Sequence, residues 1–369
     1  MPTSIAIIGG GLGGLALACA LHRHGVPSTV YEADAAPGSR RQGGLLDIHR
    51  TGRDALREIG VHDAFLALIR PGEDAKRIVD RHGDVLFDRS GSRGGARPEV
   101  DRGELRSLLL DSLPPGAIRW GSGAVVVRRG KEGRHEVLFE DGSSITPGLT
   151  VGADGAWSTV RRAVSGVDPE YSGICFVELR SPCGRTLSAQ EADLIGRGTL
   201  MAVEPGQAIM VHHNADGTLG GYAALTASAP AVSVSAVVDR FRDWAPHLVA
   251  LISENLTDPV VRPIYALPVG HRWNHLPGLT LLGDAAHLMS PFAGEGANLA
   301  LCDATELAAA LATELAAGVA DVERALTTYE RALYDRSAPV AAQSAENLRR
   351  FFGADAPHSV VDMFANLAG

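Results

Sequence analysis

Hydrophobic and polar positions along this chain fall into blocks of different period. The β-branched run Ser4 to Ile8 reads as a short buried strand, and Ser28 to Glu32 reads as a second. Between them, Gly9 to Gly14 has the composition of a tight turn and Leu15 to His24 that of a helix. Strand, turn, helix and strand within about 30 residues make a βαβ unit. Farther along, Gly52 to Ile69 places Ala55, Leu56, Ile59, Phe65, Leu66 and Ile69 at helical spacing. Asp88 to Pro98 is a polar, Gly- and Arg-rich loop, and Glu104 to Leu113 is a helix stopped by Pro114-Pro115. Val125 to Phe139 reads as a hairpin turning at Gly130 to Gly133.

The pattern changes between Gly173 and Pro263. Thr199 to Val203, Ala208 to His213 and Gly220 to Leu225 are strand-like and separated by polar turns, which predicts an antiparallel sheet. Signals of the first kind resume at Leu279 to Asp284. An Ala- and Leu-rich helix is predicted from Glu295 to about Ala317, and another near Val322 to Tyr334, with Pro339 interrupting or restarting it. The expected fold is α/β. A discontinuous Rossmann-like domain (1–172 plus 263–320) is completed by an antiparallel-sheet substrate domain (173–262) and a C-terminal helical segment (321–369). Part of 45–100 contributes to the substrate side.

Composition narrows the chemistry. With 34 basic and 43 acidic side chains the formal net charge is −9, the wrong sign for a nucleic-acid footprint. The cysteines (Cys19, Cys175, Cys183, Cys302) form no CxxC pair, so zinc, disulfide-framework and disulfide-reductase readings are set aside. The apolar start Ile5 to Ala20 lacks a basic segment before it and is broken by glycines, unlike a secretion signal. No long apolar run suggests a membrane span. A cytoplasmic monomer, without metal, nucleic-acid or membrane partners, is expected.

Three motifs carry chemistry. In Gly9-x-Gly11-x-x-Gly14 the first glycine permits the turn, the second lets a pyrophosphate approach the backbone, and the third allows close helix–strand packing. Glu32 ends the second strand, where a carboxylate can accept ribose hydroxyls and disfavours a 2′-phosphate. The second motif is Asp154-Gly155, with Ser158 able to cap the next helix. The third is Gly283-Asp284, followed by Pro291 to Asn298, whose glycines let backbone pass close to a flat ring. His49 and His287 read as packed or hydrogen-bonded structural residues, and His22 and His24 as solvent-facing.

In this order the motifs resemble the FAD-dependent aromatic hydroxylases of the para-hydroxybenzoate hydroxylase fold, and within them the tetracycline-inactivating monooxygenases. The resemblance spans nearly the whole chain and is weakest through about 173–262. It implies that Gly9, Gly11, Gly14 and Glu32 hold the adenosine diphosphate half of FAD, that Arg102 binds FAD, and that Asp47 touches the flavin. It further implies that Asp154 serves FAD and NADPH, and that Asp284 binds the ribityl chain. Pro291, Gly294, Gly296, Ala297 and Asn298 would wrap the isoalloxazine, and Arg40 would serve NADPH.

The reaction implied is hydride transfer from NADPH (or NADH) to flavin. O2 then gives a C4a-hydroperoxide that hydroxylates an aromatic or polycyclic polyketide-like molecule. Glu178, Thr199, Met201, Met210, Gly220 and Phe292 are the expected substrate residues. Thr199 and Gly220 stand where the tetracycline enzymes carry a substrate Arg and His, so tetracycline itself is in question. The alternatives are a reductase or dehydrogenase on the same fold, or a ligand-sequestering flavoprotein. A halogenase is set aside because Trp120, Trp157, Trp244 and Trp273 form no WxWxIP segment.

Overall fold

The computed structural model describes residues 4–39, 44–69, 75–91, 98–130, 134–196, 198–214, 217–316 and 321–366. Arg40, expected to serve the nicotinamide cofactor, lies outside them. Two compact units divide the chain: residues 1–69, 100–170 and 266–344, and residues 70–99, 171–265 and 345–369.

The first unit is built on a five-stranded parallel sheet. Its strand order is Leu279–Leu281, Leu149–Gly152, Ile5–Ile8, Ser28–Tyr31, Ile118–Arg119. Every residue of Ile5–Ile8 and of Leu149–Gly152 is buried, as expected of parallel strands covered on both faces. Helix Leu12–Arg23 is buried from Leu12 through Leu21 and packs beside helix Gly296–Ala316. Gly13 allows that approach, since a Cβ there would stand 3.3 Å from Ala300 Cβ of the second helix and 2.6 Å from Leu282 Cδ1. The hairpin expected over 125–139 forms as Ala124–Arg129 against His135–Phe139, its turn lying outside the described residues.

Three boundaries differ from the sequence reading. The first helix begins at Leu12, so Gly14 sits inside it. The helix expected over 52–69 is two, Arg50–Ile59 and His62–Leu66. Gly60, at φ +89°, turns left-handed and closes the first, its N–H bonding Leu56 O at 3.0 Å. Helix Val322–Phe352 runs through Pro339 without stopping. A mid-helix proline costs about 3 kcal/mol. Burial of Leu326, Tyr329 and Leu333 before it, and the Ser290–Ser344 hydrogen bonds after it (3.1 and 2.6 Å), offset that loss.

The second unit carries a seven-stranded sheet. Its order is Val261–Ala266, Glu170–Arg180, Leu219–Thr226, Gln207–His213, Thr199–Glu204, Lys76–Val79, Val85–Arg89. The predicted strands pair antiparallel, and Thr199–Glu204 also pairs in parallel with Lys76–Val79. One face, with Val177, Leu179, Leu200, Ala202, Ile209, Val211, Ala223 and Leu225, joins Val237, Phe241, Leu248, Leu251 and Ile252 in a core. The latter residues come from helices Val234–Arg240 and Pro246–Ser253 and from Phe241, which follows the first of them. None of the helices is long and apolar enough to cross a membrane, among the described residues.

Candidate functional site

Ile8 stands level with Tyr31 on one side and Gly152 on the other, and Gly152 with Leu281. Four parallel strands therefore release Gly9, Glu32, Asp154 and Gly283-Asp284 along one carboxyl edge. This is where open α/β sheets bind ligands.

The glycine loop is held from both sides. Gly9, at φ +107°, donates its N–H to Tyr31 O at 2.8 Å. Glu32, 3% exposed, accepts the Gly10 N–H at 2.5 Å and the Asp34 N–H at 2.9 Å. The carboxylate thus orients the loop itself. From the other side buried Arg106 donates Nε to Gly10 O at 3.1 Å and Nη1 to Pro37 O at 3.0 Å. Sequence reasoning passed over Arg106, although it lies one helical turn beyond Arg102, a spacing that puts both on one helix face. Gly11 is different in kind. A Cβ there would meet nothing within 4 Å, and the helix it opens has no side-chain cap. Open space in front of uncapped N–H groups suits a phosphate. Arg102 opens the next helix, its N–H on Gly44 O at 3.1 Å, and its guanidinium has no ion-pair partner among the described residues.

Asp154 spends its carboxylate locally. One oxygen accepts the Ser158 hydroxyl; the other accepts the N–H groups of Thr159 at 2.7 Å and Val160 at 3.2 Å. Burial raises its pKa, and those bonds offset only part of the rise. Buried Arg161 ties this turn to the third motif. Its Nη2 donates to Ala156 O at 2.5 Å, its Nη1 to Ala285 O at 3.2 Å, and its Nε to Val167 O at 2.9 Å. Burial lowers the pKa of this guanidinium. No sequence signal marks a buried arginine whose partners are all carbonyls.

Asp284 is exposed, and its carboxylate has no hydrogen-bond partner among the described residues. The turn beneath it is rigid: fully buried Asp303 accepts the Gly283 N–H at 3.0 Å, His287 Nε2 at 2.7 Å and Arg336 Nη2 at 2.7 Å. Burial alone would lower the His287 pKa, but the Asp303 carboxylate overrides it and raises that value. His287 is therefore a structural residue, as its sequence context suggested.

Pro291 to Asn298 is latched to strand Leu45–Asp47. Fully buried Asn298 accepts the His49 N–H at 2.8 Å and donates to Asp47 O at 2.9 Å and Gly294 O at 3.0 Å. Its amide holds two segments together, so any contact it offers a flavin comes from its backbone. Gly52 makes room for it, since a Cβ there would lie 2.4 Å from Asn298 Oδ1. Pro291 and Gly294 are exposed, while Phe292, Gly296 and Ala297 are half-buried.

In the second unit, the sheet face opposite its helices brings the expected substrate residues together. Glu178, Tyr222, Met210, Met201 and Ile78 stand in one cross-strand row. Arg180, Gly220, His212, Thr199 and Lys76 form the row beside it, two residues along each strand and so on the same face. Gly220 leaves room for its neighbour, because a Cβ there would lie 2.9 Å from His212 Nε2. Glu178 is buried and pairs with Arg180 and with Arg262, the latter at 3.0 Å. Lys76 bonds Glu99 at 2.5 Å and Thr199 Oγ1 at 3.2 Å. The outcome is an apolar stripe bordered by a polar one. Phe292, expected with these residues, belongs to the first unit.

Comparison with known proteins agrees with this geometry. The model of the FAD binding domain family matches residues 2–174 and 271–345. A monooxygenase of Emericella nidulans is 30% identical over 98% of this chain and 97% of its own length. A 3-amino-4-hydroxybenzoate 2-monooxygenase of Streptomyces platensis is 29% identical, over 96% of this chain and 89% of its own. The fold superimposes on a tetracycline destructase with a TM-score of 0.77, at 21% identity, covering 100% of this chain and 95% of that one. A glycine loop, an acid-ended second strand and the Asp284 turn on one sheet edge, in a chain matched to this family over residues 2–174 and 271–345, make it a member of the FAD binding domain family and an FAD-dependent monooxygenase of the aromatic hydroxylase type.

Proposed function

We propose that this enzyme uses NADPH or NADH and O2 to hydroxylate an aromatic or polycyclic, polyketide-like small molecule, as a cytoplasmic monomer. The two-striped sheet face carries the substrate half of this reading. Three strand-to-strand steps lead from Met201 to Glu178, and at about 4.8 Å per step this part of the row is about 14 Å long. That length suits several fused rings. The neighbouring row of Thr199, His212 and Arg180 suits oxygens along one edge of such a molecule. Glu178 balances one of its two arginines, which leaves one positive charge for a phenolate or enolate. The hydroxybenzoate substrate named for the Streptomyces relative and the tetracycline named for the structural neighbour are oxygenated rings of this class.

In this reading Gly9, Gly11, Gly14, Glu32 and Arg102 hold the adenosine diphosphate half of FAD, and Asp284 holds the ribityl hydroxyls. Asp47 and the backbone of Pro291, Gly294, Gly296, Ala297 and Asn298 border the ring system. Asp154, with its carboxylate committed to Ser158, Thr159 and Val160, shapes the turn. Arg40 is assigned to the nicotinamide donor. Glu178, Thr199, Met201, Met210 and Gly220 take the substrate. When bound, FAD supplies the redox and oxygen chemistry, so the chain needs only to bind, orient and exclude water.

Two results check this. Asp284→Ala should raise the FAD dissociation constant roughly tenfold by losing charge-assisted bonds, with an unchanged melting temperature because the side chain is exposed. Oxidation of NADPH by the holoenzyme should accelerate when a polycyclic phenol is added, and Arg180→Gln should raise the KM for that phenol far more than it lowers kcat. Acceleration by no oxygenated aromatic would refute the substrate class.

A further inference from the structure

His49 is a buried histidine whose ring is only half satisfied. Its Nδ1 lies 2.7 Å from Glu295 Oε1, while its Nε2 is buried with no hydrogen-bond partner among the described residues. The residue is 8% exposed. The pairing decides the tautomer. A carboxylate that accepts from the ring places a proton on Nδ1, and with one ring proton there Nε2 presents a lone pair. A buried acceptor without a donor is costly, by about 1–3 kcal/mol, and calls for a ligand or a water.

The position of that lone pair is informative. A Cβ on Gly294 would stand 3.9 Å from His49 Nε2 and 3.7 Å from Asp47 Oδ2. The ring nitrogen thus faces the seam between Leu45–Asp47 and Pro291–Asn298, the two segments assigned above to the flavin end of FAD. Asn298 fixes the backbone of His49 and Glu295 fixes its ring, so the acceptor is held in place before any ligand arrives.

We propose that His49 is a further cofactor-binding residue, its Nε2 accepting a hydrogen bond from the flavin half of FAD, with Glu295 as the positioning residue that sets the tautomer. This rests on the assignment of those two segments to the flavin and is independent of substrate. The flavin half offers two kinds of donor, the ring N3–H and the ribityl hydroxyls.

The test uses apoprotein titrated with FAD and, separately, with ADP. His49→Asn keeps an N–H for Glu295 and deletes the distal nitrogen, and His49→Leu removes both. Both variants should weaken FAD roughly tenfold and leave ADP within about twofold, because the adenosine half does not reach the seam. Glu295→Leu should weaken FAD less, by freeing the ring without removing its acceptor. FAD methylated at N3 separates the donors. If wild type binds it as weakly as His49→Asn binds FAD, the donor is N3–H; if wild type binds it normally, the donor is a ribityl hydroxyl. The proposal is overturned if His49→Asn binds FAD as wild type does, which would mean that water satisfies Nε2. It is equally overturned if ADP and FAD weaken together, the result of a purely structural role. Failure of the flavin-segment assignment itself would show separately, as wild-type protein that binds ADP and FAD with equal affinity.

Discussion

Gly14→Val is expected to yield colourless protein whose affinity for FAD is reduced at least about a hundredfold, or roughly 2.7 kcal/mol. A Cβ at Gly14 would stand 2.0 Å from Gly9 O, and one at Gly9 would stand 2.4 Å from Ala153 O. Both obstacles are backbone atoms, so neither can swing aside, and Gly9 already occupies a left-handed conformation that side chains disfavour. The loop would have to move away from the sheet edge that presents it. Gly11→Ala supplies the contrast. Its Cβ has open space in the protein, so the apoprotein should melt as wild type while FAD binding still falls, the methyl group occupying the room proposed for the pyrophosphate. Melting curves of both apoproteins, followed by FAD titration, separate damage to the loop from obstruction of the ligand.

Asp303→Ala should be the most destabilising substitution near the third motif. This carboxylate is fully buried and serves the Gly283 N–H, His287 and Arg336 together. Its removal leaves His287 Nε2 without its carboxylate and Arg336 with Glu306 alone, and frees the turn that carries Asp284. Breaking a buried charge cluster on one side costs about 3–5 kcal/mol, which urea denaturation would register as a lower midpoint. The same cluster fixes a pH dependence. Burial alone would raise the Asp303 pKa, but His287 and Arg336 hold it below the ordinary carboxylate value. Its stabilisation is therefore present above about pH 4 and is lost as pH falls through the lowered value. The raised His287 pKa works in the opposite sense. Its contribution is complete below about pH 6.5 and fades as pH rises through the raised value. Asp303→Ala should flatten both limbs of the stability profile.

The parts of the fold most legible in the sequence were those where one local signal suffices. Alternating β-branched residues and glycines marked Ile5–Ile8, the loop and Ser28–Tyr31, and the three strands between 199 and 226 were bounded by polar turns. Boundaries failed where tertiary packing overrode a local rule. Gly60 divided a helix whose apolar spacing ran on, and Pro339 was absorbed by a helix buried on both sides of it. At the site, motif residues marked where the chain leaves the sheet, but not what each side chain does there. Glu32 bonds the glycine loop as well as its own turn, and Asp154 bonds its own turn, which requires knowing which N–H groups stand opposite. Arg106, Arg161 and Asn298 act through carbonyls far away in sequence, and no spacing rule reports such partners. The stripes on the second sheet depended on register, which pairs Met201 with Met210 and Met210 with Tyr222.

The central claim is that a flavin on the glycine-loop edge delivers oxygen to an aromatic molecule. Its most direct test is mass spectrometry of the product formed from a stimulating polycyclic phenol, NADPH and isotopically labelled O2. The account predicts a product carrying one labelled oxygen atom, absent when labelled water replaces labelled O2. A product formed without oxygen from O2, or at the same rate under anaerobic conditions, would contradict it and point to a reductase.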